Sequence, residues 1–335
     1  MSRSHANYSL FLFLDFVRLQ VNCHAYGTIP KEIILLHNLE NLIISNNPGL
    51  RGSIPSFIGN LKELRQVGLY NNSIEGELPY ELFQLQHLTF LNLSNNQING
   101  KLQSLTAVPR LEKLALDDNR LTGSVSRLQL NQGPYLKVLS LSRNEIDGSI
   151  PSSMERLETI EHLYLDGNAL DGTLPPEWII MRNLKSLALR DNRFSGRIPS
   201  EWGNMTSLTY LTLGNNMLSG TVPKAFGHLK NLKVFDVGGN DLNGTLESST
   251  ILNWTYASHI YMHSNFFHGS IANEFSHLKD LQSLFLFDNN LSGTIASSIC
   301  DRTLESLLNL WVDCDTNDGN VTPKVECDCC TACFL

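Results

Sequence analysis

Between Cys23 and Cys300 the 335-residue chain has no cysteine. A disulfide framework therefore cannot organise its body. No run of five Lys or Arg occurs, and the net charge is −8, so the electrostatic footprint of a nucleic-acid binder is missing. No apolar run approaches the ~20 residues of a membrane helix. The nearest, Tyr8 to Val21, is broken by Asp15 and Arg18, and its uninterrupted part is only Leu10 to Leu14. That part is shorter than the ~7–15-residue apolar centre of a signal peptide, so residues 1–26 are expected to be a frayed first unit or a truncated cap. There is no Gly-rich loop followed by VAIK, HRD and DFG, hence no kinase.

What is present is one unit written many times. Leu61 to Pro79, "LKELRQVGLYNNSIEGELP", matches Leu157 to Pro175, "LETIEHLYLDGNALDGTLP", and Met181 to Pro199, "MRNLKSLALRDNRFSGRIP". The shared pattern is LxxLxxLxLxxNxLxGxIP. Its Asn recurs at Asn47, Asn72, Asn96, Asn119, Asn144, Asn168, Asn192, Asn216, Asn240, Asn265 and Asn289, at intervals of 23 to 25 residues. A Gly follows four residues later from Gly76 to Gly293. A fixed period in this range with this pattern is the signature of a leucine-rich-repeat solenoid.

Each position has a physical reason. The LxL pairs, such as Val67/Leu69, Leu163/Leu165 and Leu211/Leu213, alternate with period two and predict a strand buried on one face. The Asn can satisfy backbone groups left unpaired where the chain leaves the strand, and the Gly permits a tight turn. Phe57, Leu82, Met154, Trp178, Trp202, Phe226 and Phe275 recur on the return path and are expected to fill the core of the convex side rather than to form ligand cages. The expected fold is an α/β-type solenoid. It would be a right-handed horseshoe with a parallel concave sheet of about 11–12 strands and short helical or 3-10 convex segments. The solenoid is placed at residues 27–303 and a cysteine-rich cap at 304–335.

The "GxIP" tail, seen as "GSIP" at Gly52 and Gly148, "GELP" at Gly76, "GTLP" at Gly172, "GRIP" at Gly196 and "GTVP" at Gly220, resembles the plant-type extracellular leucine-rich repeats. These occur in receptor-like kinases, receptor-like proteins and polygalacturonase-inhibiting proteins. The resemblance covers residues 27–300. It implies a second short sheet beside the concave one, an extracellular setting, and recognition of a protein, peptide or glycan rather than catalysis or a cofactor. It also implies a co-receptor as a further partner, and contact with a membrane only through a segment absent from this chain. An inhibitor of cell-wall hydrolases and a fragment of a receptor kinase are the alternatives. The C-terminal "LWVDCDTNDGNVTPKVECDCCTACF" is similar to the cysteine-rich ends of leucine-rich-repeat proteins predicted in diatoms. The chain departs from the receptor pattern in lacking the paired-cysteine N-terminal cap, and Cys23 stands without a neighbour. A missing N-terminal part would explain both.

Binding in such a solenoid is expected on the outward positions of the concave sheet. There His259, Tyr261, His263, Phe285 and Phe287 come from two adjacent strands and form an interface-like cluster, unless the cysteine cap folds over it. A weaker patch joins His162, Tyr164, Asp166 and Arg190, with Tyr210 nearby. His259 and His263 are four apart on a strand, ~13 Å, which is too far for a shared metal shell. Asp117, Asp166, Asp236 and Asp288 suggest a solvated acidic strip without the paired geometry of a hydrolase.

Sequons place acceptors at Asn7, Asn71, Asn92, Asn204, Asn243, Asn253, Asn290 and Asn320, which favours a secretory route. The late cysteines Cys300, Cys314, Cys327, Cys329, Cys330 and Cys333 have CxxC spacings that suit zinc or disulfides, and the secretory reading favours disulfides. Cys329 and Cys330 are adjacent, with Cα atoms ~3.8 Å apart, below the disulfide range. Each must reach a different partner, with Cys300 and Cys314 as candidates.

Overall fold

The computed structural model describes residues 18–21, 25–130, 135–151, 154, 157–303, 306–313, 325–327 and 329–334. Cys23, Cys314, Asn7 and Asn320 lie outside the described residues. The chain falls into two compact units, one of residues 1–122 with 127–136 and one of 123–126 with 137–335.

In the first unit the strands Arg18–Val21, Asn41–Ile44, Gln66–Gly68, Phe90–Asn92 and Lys113–Ala115 pair in parallel, in chain order and in register. In the second unit Val138–Ser140, His162–Tyr164, Ser186–Ala188, Tyr210–Thr212, Val234–Asp236, His259–Tyr261, Ser283–Phe285, Asn309–Asp313 and Ala332–Phe334 follow the same order. These primary sheets contain the LxL pairs. A strand precedes the first repeat, at Arg18–Val21, and another follows the last, at Ala332–Phe334. Sequence periodicity covers neither of them. A second parallel sheet runs through the xLxGx segments, as in Ala169–Thr173, Arg193–Arg197 and Met217–Gly220. Between the sheets lie 3-10 turns entered through Pro55, Pro79, Pro175, Pro199 and Pro223, whose φ values of −62° to −77° suit a helix start.

The alternating Leu residues point inward and are almost fully shielded, Leu163, Leu165, Leu211 and Leu213 at 0% exposure. Each such side chain contributes about 1.5–3 kcal/mol on burial, and because every repeat buries its face on its neighbours, stability is nearly a sum of neighbour terms. Trp178, Trp202 and Phe226 fill the return path, with Trp178 and Trp202 stacked 5.7 Å apart. Phe57 is a correction. It is only half-buried, and Ile58 is the core residue. The inward position is the third after each Pro, as in Leu82, Trp178, Trp202 and Phe226, and in the first repeat that position is Ile58.

The ladder Asn does more than turn the chain. Asn192 accepts from Leu170 N at 3.0 Å and donates Nδ2 toward the carbonyls of Leu165, Leu189 and Arg190 at 3.0–3.2 Å. It so joins its own repeat to the one before. Asn72, Asn96, Asn119, Asn168, Asn216, Asn240, Asn265 and Asn289 donate in the same manner. The residue before the ladder position is left-handed, as at Asn71 (φ 56°), Asn95 (φ 55°) and Asn215 (φ 51°), a conformation that Asn tolerates better than most side chains. Gly172 at φ 80° holds a backbone conformation that side chains rarely adopt, and an added Cβ would sit tightly, 3.2 Å from Ser149 Cβ.

The last repeat ends on a substitution. Elsewhere the turn N–H groups bond to carbonyls of the next repeat, as Ser264 N to Phe287 O and Asn265 N to Asp288 O. At the end, Asp288 N and Asn289 N donate to the two carboxylate oxygens of Asp313 at 2.7 and 3.0 Å. A buried carboxylate there replaces two backbone carbonyls.

Candidate functional site

The outward positions of the second unit's primary sheet form three columns. One holds Tyr164, Ala188, Thr212, Asp236, Tyr261, Phe285 and Trp311, paired strand to strand. Tyr261 and Phe285 are 4.9 Å apart between ring centroids, and Phe285 stacks on Trp311 at 4.3 Å with 6° between planes. Phe287 meets His263 edge-on at 4.8 Å and lies 6.0 Å from Trp311. His259 completes the group 6.0 Å from Tyr261, with its Nδ1 2.8 Å from Ser258 Oγ. All six are half-buried rather than sealed. The structure thus brings together all five residues expected of the main cluster.

Trp311 was missed, though it is legible. It occupies the same column in "LNLWVD", one repeat after Phe285. The cysteine-rich segment itself contributes Trp311 to these rings. Asn309–Asp313 and Ala332–Phe334 continue the primary sheet, and Val325–Glu326 pairs with Gly293–Thr294 beside the second one. Cys300 joins Cys329 and Cys327 joins Cys330, with Cα separations of 5.4 and 5.8 Å. Cys333 falls in the strand Ala332–Phe334.

The weaker patch does not assemble as expected. His162 and Tyr164 stay together, with Tyr164 Oη 3.2 Å from His162 Nδ1, and Ser186 Oγ 3.0 Å from the same nitrogen. Asp166, however, accepts from Ser142 Oγ at 2.7 Å and faces Arg143 at 3.8 Å. Arg190 turns the other way. It reaches two strands along to Asp236, Nη1 to Oδ2 2.5 Å, and touches Asp191 at 3.5 Å. The intervening residue is Gly214. A Cβ there would sit 2.8 and 2.9 Å from the Asp236 oxygens and 3.0 Å from Arg190 Nη1, so the glycine is the gap through which the ion pair forms. The counter-charges and the hydrogen bond of Asp236 and Asp191 hold the guanidinium above its ordinary pKa, against the opposing cost of burial.

The solvated acidic strip is corrected at Asp236. Asp236 is 3% exposed and accepts from Gly238 N at 3.0 Å besides pairing with Arg190, while Asp117 accepts from Ser94 Oγ at 3.0 Å. The correction holds for Asp236, whose charge is met by Arg190, whereas Asp288 is exposed.

His263 leans over Gly238, where an added Cβ would fall 2.1 Å from the ring, and its Nδ1 is buried without a hydrogen-bond partner. Burial holds the imidazole below its ordinary pKa of 6.5. Tyr210, 38% exposed, and Tyr261 have phenols pushed up, first by burial. No group of three or more His, Cys, Asp or Glu able to hold a metal occurs among the described residues.

Of the sequon residues, Asn71, Asn204, Asn243, Asn253 and Asn290 are exposed. Asn92 sits half-buried on the primary sheet of the first unit with its Oδ1 accepting from Ser94 N at 3.0 Å. No helix among the described residues is long and apolar enough to cross a membrane.

Comparison with known proteins places this geometry. The leucine-rich-repeat family model matches residues 109–170 and 182–242, and related leucine-rich-repeat models match 84–101 and 280–301. Receptor-like protein 39 of Arabidopsis thaliana is 32% identical over 164 residues, covering 48% of this chain and 18% of that protein. The crystal structure of a TDR receptor superposes with a TM-score of 0.83 at 27% identity, covering 89% of this chain and 51% of the other. The repeats are leucine-rich repeats, similar to those of plant receptor ectodomains. The Arabidopsis receptor kinase HAESA, solved in complex with the peptide hormone IDA and the co-receptor SERK1, matches this leucine-rich-repeat protein with a TM-score of 0.76 at 30% identity, over 90% of this chain and 52% of the other. The chain thus spans about half the length of these solved receptor chains and under a fifth of the curated relative.

Proposed function

We propose that this leucine-rich-repeat protein is an extracellular recognition module that binds a peptide or protein segment on the outward face of the second unit's primary sheet. The observation that carries the reading is the contiguous, half-exposed group of Tyr261, His263, Phe285, Phe287 and Trp311. The solenoid core needs no side chain at these positions, because the alternating Leu residues already fill it. Large rings kept there resemble the aromatic anchors that dominate interfaces. HAESA, whose fold this chain shares, was solved with a peptide hormone and a co-receptor, which supports a peptide ligand and a second protein partner here.

The fold is one used by non-catalytic binding modules. The joined cysteines and the exposed sequon asparagines favour an oxidising, extracellular compartment. Tyr210, the His162–Tyr164 pair and the Arg190–Asp236 bridge would line the approach to the rings.

Photo-cross-linking of the purified full chain with a synthetic peptide library, mapped by mass spectrometry, tests the reading. Cross-links should concentrate on the strands His259–Tyr261 and Ser283–Phe285. The double variant Tyr261→Ala/Phe285→Ala should lose them by about tenfold or more, as expected when two aromatic anchors are removed. Cross-links confined to other faces, or a folded double variant that binds unchanged, would refute it.

A further inference from the structure

The rings of the second unit stand in acidic surroundings. Across the outward positions from Tyr210 to Asp313 there is not one Lys or Arg; Asp236 and Asp313 are buried there, and the exposed carboxylate is that of Asp288, in the turn after Ser283–Phe285. The neighbouring cation, Arg190, is already matched by Asp236 at 2.5 Å and approached by Asp191 at 3.5 Å. That trio carries a net negative charge. His263 adds no positive charge at neutral pH, because burial favours its neutral ring. Asp288 is exposed and directly follows Phe287.

Aromatic faces attract cations through their quadrupole, and a carboxylate at the margin adds a Coulomb attraction of the same sign. Arginine suits such a surface well, since its planar guanidinium stacks on rings and is weakly hydrated. An acidic segment would meet repulsion, and a neutral one would gain only area burial. The column Asp236, Tyr261, Phe285 and Trp311 crosses three strand spacings, ~14 Å, which about four extended residues cover.

We propose that this face takes an extended peptide segment bearing arginine or lysine, with the cationic side chain against Tyr261, Phe285 and Phe287 and beside Asp288. The proposal rests on the peptide-recognition reading above and specifies its chemistry.

The test uses the full chain and three fluorescein-labelled octapeptides with one Gly/Pro frame. One carries three arginines, the second three citrullines and the third three glutamates. Fluorescence anisotropy is read at ~20 mM and ~500 mM salt, where screening lengths differ several-fold. The arginine probe should bind at least about tenfold tighter than citrulline at low salt, and glutamate weakest. Asp288→Asn suits the left-handed backbone there, φ 56°, since Asn95 and Asn215 already occupy equivalent positions. It should weaken the arginine probe about two- to fivefold at low salt and leave citrulline unchanged. Tyr261→Leu should weaken it about three- to thirtyfold, with circular dichroism melts confirming the fold.

Failure of the arginine probe to bind at ~1 mM would overturn the proposal. So would equal affinity for the three probes, or folded variants that bind arginine like the wild type. If citrulline or glutamate probes bind as well and Tyr261→Leu weakens them too, peptide recognition stands and the basic preference falls.

Discussion

Asn240→Ala removes one rung of the side-chain ladder and should cost far more than a surface substitution. Asn240 is 7% exposed. Its Oδ1 accepts from Leu218 N at 3.0 Å, and its Nδ2 lies 3.1 Å from Leu213 O, 3.0 Å from Val237 O and 3.4 Å from Gly238 O. Alanine leaves the Leu218 N–H without its acceptor inside the solenoid, at about 1–3 kcal/mol for a buried unsatisfied donor. The two well-aligned Nδ2 bonds add roughly 0.5–1.5 kcal/mol each. Because these overlap in part and water can reach some carbonyls, the expected loss is about 2–4 kcal/mol.

Urea unfolding reports it through the buried Trp254, whose ring centroid lies 4.8 Å from that of Phe235 in the same repeat pair. Repeat arrays depart from two-state behaviour, so hydrogen exchange should accompany the denaturation curve. Loss of protection should localise to residues 213–242, and the exposed control Asn243→Ala should leave both measurements near the wild type. Asn240→Asp should be at least as damaging as alanine, because a carboxylate would face carbonyl oxygens. A loss below about 0.5 kcal/mol for Asn240→Ala, or an Asn240→Asp variant as stable as the wild type, would refute the ladder reasoning.

Two further outcomes follow from the same contacts. Gly214→Val should push Arg190 off Asp236 and lower stability by about 1–3 kcal/mol, less than a fully buried pair would cost because the Arg190 side chain is 36% exposed; an unchanged denaturation midpoint would count against the bridge. His263 has a folded pKa below its ordinary 6.5, so its contribution is complete above that value and is lost as pH falls from there through the folded pKa. His263→Gln should flatten the decline in melting temperature between about pH 7 and 5, and identical slopes for both proteins would refute it.

The repeat, the strands carrying the LxL pairs and the Asn ladder were legible because each recurs at a fixed spacing, and the second sheet was implied by the resemblance to plant-type repeats. Phe57 shows how narrow that legibility is. One residue of misphasing placed a half-exposed ring in the core, where the turn after Pro55 points Ile58 instead. The aromatic cluster was legible too, because in-register parallel strands carry equivalent positions side by side.

The charges were not. Asp236 reads in sequence as one more solvated carboxylate, and Arg190 as a neighbour of Asp166. Their bond crosses 46 residues and exists only because Gly214 leaves space between two strands. Asp313 in place of two carbonyls, and terminal strands that no periodicity marks, are likewise matters of how the last turns meet their neighbours. Sequence alone determined the solenoid and the columns of its outward face, since those follow from period and register. Tertiary structure decided which charges in those columns are spent on each other and which stay exposed, because a side chain several ångströms long can choose among partners on three strands, and the spacing of residues along the chain does not encode that choice.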